Sequence, residues 1–177
     1  MSDLKRSFPP VADARTRLLV LGSLPGERSL AEQRYYAHPR NHFWPLIGAV
    51  IERDLVALDY PARLAALQAA CVGLWDVVAT AHRNGSTDAA IREHDPNDLA
   101  ALVATLPSLR ALAFNGSKAH AIGTRALAGH APQVACIALP SSSPLHTVGL
   151  AAKLPAWLTL REYLEGQEEH RFLAPAR

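Results

Sequence analysis

Short apolar runs alternate with longer amphipathic stretches over most of this chain. The runs rich in Leu, Val, Ile and Ala have the composition of buried strands, and they span residues 18–21, 71–78, 111–114 and 134–139. The stretches between and after them repeat Ala and Leu at helical spacing, over residues 41–51, 61–70, 96–106, 117–128 and 150–164. The pattern therefore predicts strands and helices in alternation.

Polar residues and prolines mark the ends of these helices. Asn41 lies near the start of the first helix, where Asn is favoured as a cap. Pro61 opens the second helix at a position where its missing N–H costs nothing. Asp95 is the predicted cap of the third helix, which Pro107 ends. Pro155 predicts a break, or a new helix start, within the last one.

Strands that alternate with helices favour right-handed crossovers and a parallel sheet covered on both faces. We therefore expect an α/β fold with three layers, α/β/α, around a central, mostly parallel sheet of four strands. The chain of 177 residues is long enough for one ordinary domain, which we assign to residues 1–165. Residues 166–177 form a predicted polar C-terminal tail that frays.

The chemically rich loops all follow predicted strands, over residues 22–44, 79–88, 115–116 and 140–147. Ligands of such sheets bind beyond the carboxyl ends of the strands, so we expect these loops to meet. Residues 35–44 alone hold two Tyr, two His, an Asn, a Phe and a Trp. A core helix does not require that mixture and neither does a solvated loop, whereas a pocket for a flat, polar heteroaromatic ligand does.

Composition and charge narrow the class of partner. The net charge is only +2, so nucleic acid would have to be bound by a local patch or by backbone amides. No stretch has the character of a membrane span or a signal peptide, which predicts a cytoplasmic protein without a membrane partner. Cys71 and Cys136 lie in apolar runs without metal-ligand spacing, so we expect two buried, reduced thiols and no metal site.

Three segments carry a resemblance to a known family. They are Gly22-Ser-Leu-Pro-Gly26 with His38-Pro-Arg-Asn-His-Phe-Trp44, then Gly73-Leu-Trp-Asp-Val77 with Gly85-Ser-Thr-Asp88, and finally Leu139-Pro-Ser-Ser-Ser-Pro-Leu-His146. In order and spacing the chain resembles the uracil-DNA glycosylase superfamily, and within it the hypoxanthine (deoxyinosine) DNA glycosylase branch. The resemblance implies that a base is flipped out of DNA and cut from its sugar.

Two positions depart from the superfamily pattern. Most branches carry a catalytic Asn or Asp third in the first motif, where this chain has Leu24, which cannot orient a water molecule. Leu139 stands where the uracil-specific branch has a histidine. The deoxyinosine branch similarly lacks the first of these groups, and the resemblance moves the catalytic candidate to Asn41. Ordinary uracil excision is therefore not expected.

Hydrolysis of an N-glycosidic bond puts positive charge on the sugar and negative charge on the leaving base, so the enzyme must position a water and stabilise an anion. Asn41 is the predicted water-positioner, because a neutral amide both donates and accepts hydrogen bonds; the alternative is a helix cap alone. His38 is the second catalytic candidate, and His42 is an alternative polarising group.

The resemblance implies a base pocket floored by the first motif, at Gly22, Ser23 and Leu24. Tyr36 is the predicted stacking platform, because it matches an aromatic residue just before Ala-His-Pro in the related branches. The alternative for Tyr36 is a core or rim position. We expect Phe43 and Trp44 to pack in the core.

The edge of the base must also be recognised. Hypoxanthine offers a carbonyl acceptor beside an N–H donor, and adenine reverses both. Asp76 ends the second predicted strand, where the uracil branch has its base-reading Asn, and a carboxylate there can accept from the N–H and repel the ring nitrogen of adenine. The alternative is an Asp satisfied by backbone amides or capping a turn. Asn115 is a second candidate reader, although Asn-Gly is first of all a turn signal.

The resemblance implies that the second motif clamps DNA, through Ser141, Ser142, Ser143, Pro144, Leu145 and His146. Small hydroxyls and free backbone N–H groups can approach phosphates closely, and Leu145 occupies the wedge position that fills the gap left by the base. The alternative is an ordinary Ser-rich connection. Four basic residues are expected on the same rim, namely Arg34, Arg40, Arg83 and Lys118. His38, His146 and backbone amides all remain candidates for stabilising the leaving base.

The sequence therefore predicts a monofunctional DNA glycosylase that releases hypoxanthine from damaged DNA by hydrolysis, as a monomer and without a cofactor. Strand cleavage by lyase chemistry is not expected, because no lysine stands at a catalytic motif position. Uracil or mismatched-thymine excision on the same fold is one alternative, and a non-catalytic nucleic-acid-binding module is another. A small-molecule hydrolase or nucleotide-binding protein ranks last, because GxSxG, P-loop and GxGxxG motifs are all missing.

Overall fold

The structure is a computed structural model that describes residues 3–166. The predicted tail over residues 166–177 lies outside the described residues except for Gly166. Seven strands are formed within the described range: β1 (Leu4–Arg6), β2 (Leu18–Gly22), β3 (Val72–Asp76), β4 (Val78–His82), β5 (Arg92–Pro96), β6 (Ala111–Asn115) and β7 (Ala135–Leu139). Its α-helices are α1 (Glu27–Glu32), α2 (Phe43–Val50), α3 (Tyr60–Ala69), α4 (Leu99–Ala104), α5 (Ser117–Leu127) and α6 (Leu150–Leu158).

The central sheet has the strand order β3-β2-β6-β7, and each neighbouring pair runs parallel. All five residues of β2 are buried, as expected for a strand inside a sheet covered on both faces. The predicted three-layer α/β fold with a parallel four-stranded sheet is confirmed. The carboxyl ends of the four strands meet at one edge, and β3 and β6 flank β2 there.

Alternate residues of β2 enter two separate cores, because side chains of a strand point to opposite faces. Leu18 and Val20 pack with residues of α2, α3 and α6. Leu19 and Leu21 pack with residues of α4 and α5 on the other face. The helical layers thus hold the sheet rigid from both sides.

A second sheet was not predicted. Strands β1, β4 and β5 pair antiparallel in the order β1-β4-β5. The sequence pattern predicted a single strand over residues 71–78. That prediction was wrong, because the chain leaves the parallel sheet after Asp76 and β4 begins at Val78. There the backbone N–H of Val77 donates to Gly22 O at 2.8 Å and that of Val78 to Ser23 O at 3.0 Å.

Two predicted helix features were also wrong. Pro96 is the last residue of β5, and the helix that follows begins at Leu99. Asp98, and not Asp95, caps it by accepting the N–H of Ala101 at 3.0 Å. Pro155 neither breaks nor starts a helix, since it lies inside α6.

The two cysteines are free, but neither is buried as predicted. Cys71 is half-buried and has a left-handed backbone, with φ of +62°, in the turn before β3. Cys136 is exposed on β7, which is an edge strand of the parallel sheet. Alternate residues of β7, Cys136 among them, are exposed, so one face of this edge strand is open to solvent.

Candidate active site

A cavity of about 420 Å³ opens at the carboxyl edge of the parallel sheet, a volume typical of small-molecule sites. Of the residues predicted for catalysis, base binding and the DNA clamp, thirteen line it: Gly22, Ser23, Leu24, Tyr36, His38, Asn41, Asp76, Asn115, Ser141, Ser142, Ser143, Pro144 and Leu145. His146 and the alternative His42 do not. The loops that follow the strands therefore do meet, as the sequence predicted.

Gly22 ends β2 at the floor of the cavity. A Cβ atom at this position would lie 2.7 Å from Asp76 Oδ1 and 3.2 Å from the hydroxyl oxygen of Tyr36. The first contact is too close for a side chain and the second is tight, so glycine is what allows the carboxylate to approach the phenol here. Leu24, at the usual catalytic position of the family, is 6 % exposed and packs into the core.

Asp76 is a buried acid with an incomplete set of partners. Its side chain lines the cavity but is only 4 % exposed, and Oδ2 has no hydrogen-bond partner among the described residues. Burial raises the pKa of Asp76 to about 7, against the lowering effect of Arg83, and the charge of Asp88 adds to the rise. A carboxyl with that pKa can change its protonation state near neutral pH.

Arg83 was expected on a solvated rim, and that prediction was wrong. Its side chain is 1 % exposed and its guanidinium donates to the backbone oxygens of Leu24 and Pro25. Arg83 therefore fixes the first loop from behind. Ser23 Oγ donates to Asp88 Oδ1 at 2.5 Å, which ties that loop to the segment after β4. The sequence motif Gly85-Ser-Thr-Asp88 contains this acceptor, but its spacing did not predict the contact between Ser23 and Asp88.

Tyr36 forms an aromatic wall. Its φ of +51° is left-handed, a conformation that is strained for an aromatic residue and is concentrated at functional sites. The ring stacks on Phe43 with centroids 3.8 Å apart and planes inclined by 17°. Phe43 and Trp44 are buried in the core, as expected. The Tyr36 hydroxyl accepts a hydrogen bond from Asn115 Nδ2 at 3.2 Å.

Asn41 lies just before α2 on the cavity wall. Its Oδ1 accepts the backbone N–H of Phe43 at 2.9 Å, so it satisfies the first N–H of α2, although the N-cap residue itself is His42. Its Nδ2 makes no hydrogen bond to the rest of the described chain and remains able to bind a ligand or water. His38 lies nearby, and its Nδ1 accepts the backbone N–H of Arg40 at 3.1 Å. His42 does not line the cavity.

Asn115 anchors the loop of residues 140–146, which we call the serine loop. Asn115 Oδ1 accepts the backbone N–H of Ser142, and its Nδ2 donates to Ser142 Oγ, each at 2.8 Å. The amide of Asn115 is thus occupied by the protein and is not free to read a base by itself. Gly116 follows with φ of +103°, and a Cβ there would lie 3.2 Å from Ser141 Cβ, so the loop packs directly on this turn.

Most backbone N–H groups of the serine loop are already hydrogen-bonded, contrary to expectation. The N–H of Ser143 donates to Ser141 Oγ and that of Leu145 to Ser143 Oγ, at 3.2 and 3.1 Å. The N–H of His146 donates to Ser143 O at 3.0 Å. Because the Ser141 and Ser143 hydroxyls accept protein hydrogen bonds, their own hydrogens are left to donate, and these are the groups that can meet a phosphate.

Leu145 and His146 project from the loop. The side chain of Leu145 is 57 % exposed, an unusual position for a large apolar residue at the edge of a polar cavity. His146 is exposed outside the cavity.

The other three basic residues expected on the rim occupy different positions. Arg34 lies over the ring of Tyr60 at 5.6 Å, Arg40 lines the cavity and Lys118 lies on the first turn of α5. Across residues 3–166, no group of three His, Cys, Asp or Glu side chains is placed to hold a metal ion.

The parallel α/β sheet thus carries an aromatic, acid-floored cavity and the serine loop at its carboxyl edge. A family model of the uracil DNA glycosylase superfamily matches residues 9–162, and the chain belongs to this superfamily. It is 43 % identical over 114 residues to a Methanosarcina barkeri protein named hypoxanthine DNA glycosylase, a match that covers 64 % of this chain and 72 % of the relative.

Two further matches come from Methanosarcina acetivorans. One, named hypoxanthine DNA glycosylase, is 42 % identical over 116 residues, which cover 66 % of this chain and 73 % of the relative. The other is a solution NMR structure of a protein described as a uracil DNA glycosylase. It superposes with a TM-score of 0.82 at 36 % identity, over 93 % of this chain and all of that one.

Among residues 3–166, no helix is long and apolar enough to cross a membrane.

Proposed function

We propose that this chain is a DNA glycosylase that hydrolyses the N-glycosidic bond of deoxyinosine, releases hypoxanthine and leaves an abasic site. The observation that carries the proposal is the cavity that gathers Asn41, Tyr36, Asp76 and the serine loop at one sheet edge. The two Methanosarcina relatives named hypoxanthine DNA glycosylase support the choice of base.

The first step is extrusion of the damaged nucleotide. A base inside a duplex is inaccessible, and unstacking is least costly for a damaged or mismatched base. Leu145, exposed beside the cavity, fills the gap in the stack. The flipped base then lies against Tyr36, whose position is fixed by its stack on Phe43; base–aromatic stacking contributes about 1–3 kcal/mol.

The second step is recognition of the base edge by Asp76. In its ionised form the carboxylate accepts the ring N–H of hypoxanthine and repels the lone pair at the same position of adenine. Asp76 lines the cavity, and its Oδ2 has no partner among residues 3–166, so the carboxylate retains acceptor capacity for this N–H. Guanine presents the same N–H as hypoxanthine, so its rejection falls to the extrusion step, because its pairing with cytosine is stronger.

The third step is hydrolysis. Asn41 Nδ2 and Oδ1 orient a water toward the anomeric carbon as positive charge develops on the sugar. Oδ1 is held in place by the N–H of Phe43, which fixes the direction of the amide. His38 is the second polar group on this wall and is our candidate for stabilising the leaving base. No lysine is among the residues lining the cavity, which supports hydrolysis without a lyase step.

All of these groups belong to one copy of the chain, so we expect a monomer to be the active species. Its substrate would place it on the nucleoid, in the cytoplasm. Excision of uracil or mismatched thymine is the second candidate function, and the family relationship favours it; Leu24 in place of a water-orienting residue speaks against efficient uracil release.

A panel of duplexes tests the proposal. Each carries one hypoxanthine, uracil, mismatched thymine or normal base and is incubated with the protein in the absence of metal, then heated in alkali to break abasic sites. We expect breaks at hypoxanthine. Breaks chiefly at uracil would transfer the assignment to the second candidate, and binding without breaks at any base would indicate a non-catalytic module.

A further inference from the structure

Lys153 of α6 is a fully buried lysine outside the cavity. Its relative exposure is 0 %, and its Nζ donates to the backbone oxygen of Ser143 at 3.3 Å. Within residues 3–166 no ion pair includes it. Burial lowers the pKa of Lys153, as expected for an ammonium group removed from water without an acidic partner.

Such a group is unfavourable for folding. A buried charge without a counter-charge is costly, and apolar residues of similar volume are often neutral or stabilising in its place. One carbonyl oxygen at 3.3 Å compensates only in part. The position of Lys153, directly behind Ser143, points to an anion that arrives on the other side of the serine loop.

Three carbonyl groups of the serine loop accept hydrogen bonds from the rest of the protein. Pro140 O accepts from Trp157 Nε1 at 3.0 Å, and Ser142 O accepts from the backbone N–H of His42 at 2.9 Å. Ser143 O accepts from Lys153 Nζ at 3.3 Å and also from the backbone N–H of His146 at 3.0 Å. These three carbonyl ends are bonded to α6, to His42 just before α2 and to the loop itself, so the loop presents hydroxyl groups outward. That arrangement favours an anion on the outer face.

We propose that Lys153 is a buried counter-charge for a DNA phosphodiester bound on the outer face of the serine loop. The inference rests on the proposed function, since it assumes DNA as the ligand. Lys153 is a positioning residue: it does not touch the phosphate, but it shares the Ser143 carbonyl with the His146 N–H and adds positive potential behind the Ser141 and Ser143 hydroxyls.

Salt dependence of DNA binding tests this role, because the logarithm of the binding constant falls with the logarithm of salt concentration by about 0.9 per neutralised phosphate. The ligand is a duplex with a tetrahydrofuran abasic site, which cannot be turned over. Lys153→Met removes the charge at similar volume, and Lys153→Gln retains a neutral donor. Arg125→Met is the control, since Arg125 is exposed in the last turn of α5, at the end remote from the serine loop.

We expect both Lys153 variants to bind more weakly at low salt, with slopes shallower by about 0.9 than wild type. Raising NaCl from about 50 to about 200 mM should then weaken wild type about 3.5-fold more than Lys153→Met. The melting temperature of Lys153→Met should equal or exceed that of wild type, and Arg125→Met should leave the slope nearly unchanged.

A purely structural lysine would give the opposite pattern: a lower melting temperature for Lys153→Met and an unchanged slope for both variants. That result overturns the proposal even if wild type releases hypoxanthine normally. Failure of wild type to bind any duplex would instead overturn the proposed function, and this inference with it.

Discussion

The carboxylate of Asp76 lies so close to Gly22 that a methyl group on Gly22 would come within 2.7 Å of Oδ1. Gly22→Ala should therefore displace Asp76 and lower hypoxanthine release in single-turnover assays. It should also lower the free energy of unfolding by about 1–3 kcal/mol, the usual cost of overpacking.

A double-mutant cycle identifies the cause. If the clash is with Asp76, Gly22→Ala should cost clearly less stability in an Asp76→Ala background than in wild type. Equal costs in the two backgrounds, measured by urea unfolding, would show that the methyl group collides with something else.

The raised pKa of Asp76 predicts a pH-dependent stability. Its ordinary value of 3.8 applies to the unfolded chain, whereas burial raises the pKa to about 7 in the folded protein. Between these values the folded state binds a proton that the unfolded state does not, so this group makes the protein less stable as pH rises from about 4 to about 7. Asp76→Asn removes that loss and should stabilise the protein by about 1–4 kcal/mol above pH 7.

Urea unfolding of wild type and Asp76→Asn at about pH 4.5 and 7.5 checks this sign. The stability advantage of Asp76→Asn over wild type should grow with pH; an advantage that is constant or shrinks would mean that Asp76 is already ionised in the acid range.

The Asp76→Asn variant also tests recognition of the base. In wild type, the preference for hypoxanthine over adenine should fall as pH drops below about 7, because protonated Asp76 can donate to adenine. In Asp76→Asn the preference should be altered and independent of pH.

Asn115→Ala should release the serine loop. Ser142 is buried, and its N–H would lose the acceptor now at 2.8 Å; an unsatisfied buried donor costs about 1–3 kcal/mol. We expect faster hydrogen exchange at the Ser142 amide and weaker binding of DNA. Ser142→Ala is the matched control, since it retains the backbone bond to Asn115 and loses only the hydroxyl. If both variants exchange at the same rate, the backbone bond does not hold the loop.

Leu145→Ala should slow hypoxanthine release from duplex DNA much more than release from single-stranded DNA. A wedge is needed only where a stacked partner strand must be opened, so hypoxanthine release from duplex should fall while release from a single strand stays close to wild type. Val56→Ala is the control, because Val56 is similarly exposed, at 55 %, but lies away from the cavity. Equal losses on both substrates would assign Leu145 another role.

The central sheet could be predicted from the sequence because its strands are continuous runs of apolar residues. Buried runs such as that of β2 leave no alternative to a covered parallel strand. The antiparallel sheet carried no such signal, since every residue of β5 is exposed. For the same reason Asp95 and Pro96 looked like a helix start, although both belong to that strand.

The sequence predicted which loops form the site, but not the hydrogen bonds that hold those loops in place. Loop position after each strand indicated that Asn41, Asp76 and Ser142 would meet. It did not indicate that Arg83 would turn inward to the first loop, or that Lys153, in the middle of an Ala- and Leu-rich helix, would lie behind the second. Long charged side chains reach both buried and solvated positions, and only the folded structure distinguishes them.

Asn41 is the residue on which the proposed hydrolysis depends most directly. Asn41→Ala would also remove the acceptor for the first N–H of α2, because Oδ1 accepts the N–H of Phe43. Asn41→Ser retains a cap acceptor and removes the amide, so it separates loss of folding from loss of chemistry.

The decisive measurement is the single-turnover rate of hypoxanthine release from a duplex by wild type, Asn41→Ser and Asn41→Ala, with melting temperatures recorded in parallel. We predict that both variants release hypoxanthine about 10²–10⁴ times more slowly, and that Asn41→Ser melts close to wild type. A folded Asn41→Ser that works at nearly the wild-type rate would contradict the account, because the water would then be oriented by another group.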